Sequence, residues 1–391
     1  MQFKIPFSGR GQKYTDKEIA VVIDVMKNSE TLTQGKYRDE FEQKFGKLMN
    51  TQYSYAVSNA TAAFEIVAQL CLFEPDDEII APSHTFTSSV YPFIKKGAKV
   101  VWADIDLKTR VVSVETISRC ITPKTKAIIV VHLYGYVAEM EPILELARAK
   151  NIIVIEDAAQ SIGADINGKM SGSFGDFGIY SFHSHKNIST LGEGGMLCVK
   201  NHKYAKLIPM LRHNGHCPFD FKQKEYWIPA MGNVDLPSLD DIPLFPNNYC
   251  IGEAECALGS MLLDRLESIN KEKRLRAIDF IDTFKEFEDV IEFHRVDSTR
   301  HNYHLLVARM KNNCRNKFIK KMADEKKIKC VVQYYPLNRY DFYKKLGFSH
   351  AETPNADLFF DNMVSFPFQH WMSDEDFDYM KKSTLEILRN F

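Results

Sequence analysis

Two short segments hold the side chains from which chemistry can be built. The first is Glu156-Asp157-Ala158-Ala159-Gln160. The second is Ser181-Phe182-His183-Ser184-His185-Lys186-Asn187, with Gly192-Glu193-Gly194-Gly195 a few residues on. A lysine amine attacks a carbonyl only when deprotonated. Its ordinary pKa of about 10.4 must therefore be lowered by desolvation or by nearby positive charge. Lys186 follows an apolar run and precedes a glycine-rich bend, a place that can bury an amine. A lysine in such a loop is otherwise a plain surface charge. Asp157 has two readings as well, a helix N-cap or a catalytic carboxylate at a strand end. His183 and His185 alternate along what reads as an extended segment and should point opposite ways, so no metal site is expected from them.

The elements that must position these residues are legible between about residues 50 and 200. Apolar, β-branched runs at 77–81, 127–131 and 152–155 alternate with helical stretches such as Met140–Ala149, where Ile143, Leu144 and Ala147 share a face. This alternation predicts an α/β fold with a mainly parallel sheet between helices. It also puts Asp157 at the carboxyl edge of the sheet, where open α/β folds bind ligands. Residues 177–182 and 195–199 read as two close strands joined by a polar bend. The stretch from His216 to Asn248 contains five prolines and reads as a long irregular loop. A long helix from Glu253 to Arg274 is expected to lead into a smaller C-terminal α+β domain, giving domains of 1–261 and 262–391.

The chain has 391 residues, 45% of them hydrophobic, and a net charge of −1 from 50 basic and 51 acidic side chains. That balance does not point to nucleic acid, whose binding usually needs a basic face, although a neutral total leaves room for a local basic patch. No apolar run reaches the roughly 18 residues of a membrane span, and the first residues lack a signal-type apolar core. Eight cysteines include no CxxC pair, which predicts free thiols, no metal and a cytoplasmic location. No GxGxxG follows an early strand, which argues against a dinucleotide fold.

Taken in order, the segments resemble the DegT/DnrJ/EryC1/StrS family of nucleotide-sugar aminotransferases, enzymes of fold type I that use pyridoxal 5′-phosphate (PLP). Thr33-Gln34-Gly35 with Glu40-Phe41-Glu42 is similar to the opening of that family. Val57-Ser58-Asn59-Ala60-Thr61 resembles its phosphate turn, and Pro82-Ser83-His84-Thr85-Phe86 the segment that supplies a ring over the cofactor. Asn248-Tyr249, Ala257-Leu258-Gly259, Tyr335-Pro336-Leu337 and Phe366-Pro367 complete the series.

The resemblance implies roles. Lys186 would hold PLP covalently and then serve as acid and base. Asp157 would bind the pyridine nitrogen, Gln160 the 3′ oxygen, and Phe86 a ring face. Ala60, Thr61 and Ser181 would hold the phosphate, together with Asn248 from a neighbouring subunit of a homodimer. His183, Trp227 and Tyr335 would face substrate. L-Glutamate would donate the amine, pyridoxamine phosphate would carry it, and a nucleotide-linked keto-deoxysugar destined for surface polysaccharide would accept it. Relatives that dehydrate deoxysugars carry histidine at the lysine position, and this chain keeps Lys186. Three departures stand out: Ala60 replaces the usual glycine, Cys250 the usual arginine, and Gln333 a frequent histidine. The last two and the unusually long stretch from His216 to Asn247 fall where the acceptor should bind, and Cys250 with that loop brings in a smaller keto-polyol or its phosphate as an alternative. A non-catalytic regulator on the same fold is the alternative of another class.

Overall fold

The computed structural model describes residues 2–220 and 229–391. Seven strands form its main sheet: β1 (Tyr53–Val57), β2 (Glu78–Pro82), β3 (Lys99–Ala103), β4 (Thr125–Val131), β5 (Ile153–Asp157), β6 (Phe177–Ser181) and β7 (Gly195–Val199). Their spatial order is β1-β7-β6-β5-β4-β2-β3. Only β7 runs against its neighbours, pairing antiparallel with β1 and β6. The other four pairings are parallel. Parallel strands are covered on both faces, which is why their sequences read as unbroken apolar runs. Ala127, Ile128, Ile129 and Val130 are all fully buried.

Three helices frame the sheet's amino-terminal half: α1 (Asp16–Asn28), α2 (Lys36–Met49) and α3 (Ala60–Leu70). Thr15 and Glu18 close α1 with a reciprocal capping box. A fourth helix, α4 (Glu253–Thr283), outruns the expected end at Arg274 by nine residues. Its first half packs on α1 and α2. Its second half joins a separate aromatic core built on Phe280, Phe284, Phe318 and Phe366. That core covers a three-stranded antiparallel sheet of Ile291–Phe293, Leu306–Met310 and Met363–Phe366. The expected division at 261/262 therefore falls inside one continuous helix. No helix among the described residues is long and apolar enough to cross a membrane.

The described parts of the stretch after His216, expected to be an irregular loop, contain two short strand pairings. His216–Cys217 pairs with Asn233–Val234, and Ser238–Leu239 with Ile242–Pro243. Asp240 and Asp241 form the two-residue turn of the second hairpin, both at positive φ (51° and 63°).

One buried carboxylate organises the centre of the sheet. Glu156 is completely buried. Its Oε1 accepts the N–H groups of Phe174 and Gly175 at 2.6 Å each, and its Oε2 accepts that of Gly172 at 2.8 Å. The His132 ring also meets Oε2 at 2.8 Å, while its Nδ1 accepts the Ala138 N–H. Nε2 therefore carries the proton and donates to Glu156. Glu156→Gln keeps the shape but replaces one accepting oxygen by a donor facing donors. We expect a loss of about 3 kcal/mol, read as a lower denaturant midpoint with unchanged slope.

Candidate active site

The carboxyl edge of the sheet collects the chemistry. Asp157 ends β5, Ser181 ends β6, and Gly195 opens the reversed strand β7 at the same edge. Side chains alternate along a strand, so Asp157 faces the opposite way from Glu156. It enters a cavity of about 620 Å³ that is also lined by Ala60, Thr61, Phe86, Gln160, Ser181 and Lys186. The structure thus brings together seven of the residues proposed from sequence, and His183 lines the cavity as well.

Each group is held by neighbours that fix what it can offer. Asp157 accepts a hydrogen bond from Ser89 Oγ at 2.6 Å and one from the Ala159 N–H at 3.0 Å. Burial pushes its pKa up, and Ser89, Ala159 and the Lys186 charge pull it back. Gln160 Oε1 accepts the Tyr134 N–H at 2.8 Å, so its Nε2 is the end left for the cavity, where it donates to the Tyr334 hydroxyl at 3.2 Å. Tyr134 reaches that position at a φ of 61°, unusual for a residue with a side chain. Its hydroxyl donates to the Gln333 carbonyl at 2.5 Å and accepts from His84 Nε2 at 2.7 Å. Burial holds the His84 pKa down at about 3, so the ring stays neutral.

At the other end of the cavity stands the amino terminus of α3. Asn59 caps it through the Ala62 N–H. The N–H groups of Ala60 and Thr61 have no acceptor within a helix at those positions, and the helix dipole adds positive potential. This is a phosphate seat. Ala60 is the first helical residue and is not at positive φ, so the seat needs no glycine there. The glycine it does need is Gly195, whose Cβ would lie 2.6 Å from the Asn59 carbonyl carbon.

Lys186 sits on the cavity floor in a tight turn. Its N–H donates to His183 O, and Ser184 pairs with Gly192. Desolvation lowers the pKa of its amine to about 8 against an opposing pull from Asp157. The turn corrects the extended reading of this segment. The imidazoles of His183 and His185 do not point apart; their centroids are 5.1 Å from each other. His183 also lies 3.9 Å from Glu193.

Two expected residues stand elsewhere. Tyr335 does not line the cavity: its ring packs edge-on against Tyr340 and Phe360. The neighbouring Tyr334 faces inward instead and meets Phe86 at 6.0 Å between centroids. Asn248 is exposed and outside this chain's cavity. Trp227 lies outside the described residues. Ser89, Tyr134, Tyr334 and His304 belong to the site without having stood out in the sequence.

A lysine at lowered pKa, a buried carboxylate and a helix-terminal phosphate seat around one cavity on this fold define a PLP-dependent aminotransferase of fold type I. The chain belongs to the DegT/DnrJ/EryC1/StrS aminotransferase family, whose model matches residues 12–384. It is 28% identical over 394 residues to the spore coat polysaccharide biosynthesis protein SpsC of Bacillus subtilis, covering 100% of this chain and 97% of that protein. It is 35% identical over 246 residues to the GDP-perosamine synthase of Caulobacter vibrioides, covering 63% and 61%. Among solved structures, Spr1654 of Streptococcus pneumoniae in its PMP form, described as a putative sugar aminotransferase, matches with a TM-score of 0.84 at 26% identity, covering 99% of this chain and 100% of that one.

The Lys186 amine should react with added PLP as its neutral form accumulates. The attachment rate of the cofactor-free protein should climb with pH and level off above about 8. An ordinary lysine would keep gaining up to about 10.4. Stopped-flow absorbance against pH separates the two profiles.

Proposed function

We propose that the protein transfers an amino group from L-glutamate to the keto group of a nucleotide-linked keto-deoxysugar, in the synthesis of a surface polysaccharide. The observation that carries this reading is the meeting of Lys186, Asp157, Gln160 and the α3 terminus in one cavity. The names of the relatives support the sugar: a GDP-perosamine synthase and a spore coat polysaccharide protein.

PLP, when bound, supplies the electron sink for a carbon that loses its proton. The protein's residues supply the rest. The Ala60 and Thr61 N–H groups with the Ser181 hydroxyl bind the phosphate. Asp157 holds the proton on the ring nitrogen, and Gln160 Nε2 donates to the phenolic oxygen. Phe86, half-exposed at the mouth, covers one face of the ring. Lys186 Nζ, the group that would hold the cofactor, would also serve as the acid and base of the proton transfer. His183 and Glu193 stand where the acceptor's hydroxyls would lie.

Asn248 completes the reading through a partner subunit. It is exposed, three residues beyond the exposed Phe245. We place it at the phosphate of the neighbouring site in a homodimer.

Purified protein with PLP should show a visible band that L-glutamate bleaches and one keto acceptor restores. A panel of nucleotide-linked keto-sugars, keto-polyols and keto-polyol phosphates names the class; restoration only by a polyol would overturn the sugar assignment. Lys186→Ala should abolish turnover. Asp157→Asn should slow it by about two to three orders of magnitude, the size of a lost electrostatic contact in catalysis. Asn248→Ala should weaken PLP binding by about tenfold, one lost charge-assisted hydrogen bond; unchanged PLP affinity would remove Asn248 from the site.

A further inference from the structure

The residues before α1 line no part of the main cavity, and they run directly behind it. Ile5 is buried in the aromatic core with Phe280 and Phe366. Its N–H donates to Lys327 O at 3.1 Å, and its carbonyl accepts the Lys329 N–H at 2.9 Å. Beyond the far end, Thr15 caps α1, which packs on α4. Between these anchors, residues 7–14 form a strap across the back of the turn that carries Lys186.

The strap supplies donors that the turn lacks. The Lys186 N–H is bonded within the turn, to His183 O at 2.9 Å. The carbonyls of Ser184, Asn187 and Ser189 find their donors in the strap. Gly11 N–H donates to Ser184 O at 2.6 Å, Gln12 Nε2 to Asn187 O, and the Tyr14 hydroxyl to Ser189 O at 3.0 Å. No other donor among the described residues reaches these three carbonyls. Gln12 is buried, and Arg265 on α4 donates to its Oε1 at 3.4 Å. A guanidinium only donates, so the Gln12 Nε2 is the end turned to Asn187. On the other side of the turn, Asn187 Nδ2 donates to Asn270 Oδ1 on α4 at 2.9 Å.

The strap comes closest at Gly11. A Cβ there would lie 2.2 Å from Lys186 O and 3.0 Å from both His185 C and Ser184 O, all of them backbone atoms. Gly11 is not at positive φ, so close approach alone calls for glycine. An amine that attacks a carbonyl must be placed as well as deprotonated. We propose that Gly11, Gln12 and Tyr14 are positioning residues for Lys186: their strap holds the backbone of residues 184–189 so that Nζ stays on the floor of the cavity it shares with Asp157. The inference rests on Lys186 as the cofactor-bearing residue. The strap touches neither Asp157 nor the amino terminus of α3, so it acts on the lysine and not on the rest of the cradle. It also walls a chamber of about 20 Å³ behind Lys186, room for one water. A strap that only kept water away would change the proton affinity of the amine and not its placement.

The test compares two cofactor forms on the cofactor-free protein. PLP attaches through Lys186, whereas pyridoxamine phosphate binds the same cradle without that bond. Absorbance follows the rate of PLP attachment against pH, and fluorescence titration gives the Kd of pyridoxamine phosphate. In Gly11→Ala the Lys186 carbonyl must retreat by about 1 Å to reach ordinary contact. The high-pH plateau of the attachment rate should then fall by about a hundredfold, the cost of misplacing a reacting group by about that distance. Gln12→Met and Tyr14→Phe each remove one hydrogen bond and should lower the plateau by about threefold to tenfold. The midpoint of the pH profile should stay at about 8, and the Kd of pyridoxamine phosphate at its wild-type value. An unchanged plateau overturns the proposal. Equal weakening of both cofactors overturns it as well, since that marks a general loss of structure. A raised midpoint at an unchanged plateau marks a strap that only excludes water and overturns it too. Should Gly11→Ala fail to fold, Tyr14→Phe keeps the ring, loses only the hydroxyl and is judged by the same three readings. A wild type to which PLP does not attach overturns the reading of Lys186 itself.

Discussion

Two adjacent carboxylates at the end of β5 set the terms for everything around them. Pleating sends Glu156 into the body of the protein and Asp157 into the cavity. A carboxylate without water must find donors, and Glu156 finds three backbone N–H groups and an imidazole. Those donors come from residues 132 and 172–175, so satisfying one charge fixes the segments on both sides of β5. Asp157 is treated differently. It receives only two donors, leaving it able to answer a cation that arrives with the cofactor. The same burial that raises its pKa lowers that of Lys186, and each partly corrects the other.

What the sequence made visible follows from the range of the forces involved. The strands of the main sheet were readable because parallel strands buried on both faces require continuous apolar runs, as in Ala127–Val131. Asp157 was legible as a strand-end carboxylate, with an N-cap as the other reading, whereas the roles of Lys186 and Gln160 came only from the resemblance of the ordered segments to the family. Interactions between distant segments were not legible. Ser89 reaches Asp157 across 68 positions, and Tyr134 takes its unusual backbone angle to meet a side chain 26 positions away. Tyr334 and Tyr335 differ by one position, and only packing decides which of them faces inward. The turn at Lys186 escaped because no glycine or proline marks residues 183–186, while the hairpins after His216 were hidden in a composition that reads as loop. Lys273 lies in a helix stretch with Lys271 and Arg274, where nothing local says which of the three is buried.

SpsC and Spr1654 match nearly the whole length of the chain at modest identity, and the site explains how that is possible. Much of the cofactor cradle is made by backbone: helix N–H groups, a glycine at Gly195, a main-chain donor to Gln160. Such contacts tolerate replacement of side chains, as Ala60 shows. Elsewhere the cavity is lined by side chains, among them His183, Glu193 and Tyr334.

The alternation at β5 has a consequence for heredity. Point substitutions elsewhere in the strand change one contact each. Deletion or insertion of a single codon between Ile153 and Ile155 would exchange the directions of Glu156 and Asp157 together. The frame would lose its four-partner acceptor, and the cavity would receive a side chain one methylene too long, in the same event. No intermediate length of strand rescues either. This short segment is therefore a place where the gene can drift in letters but not in length.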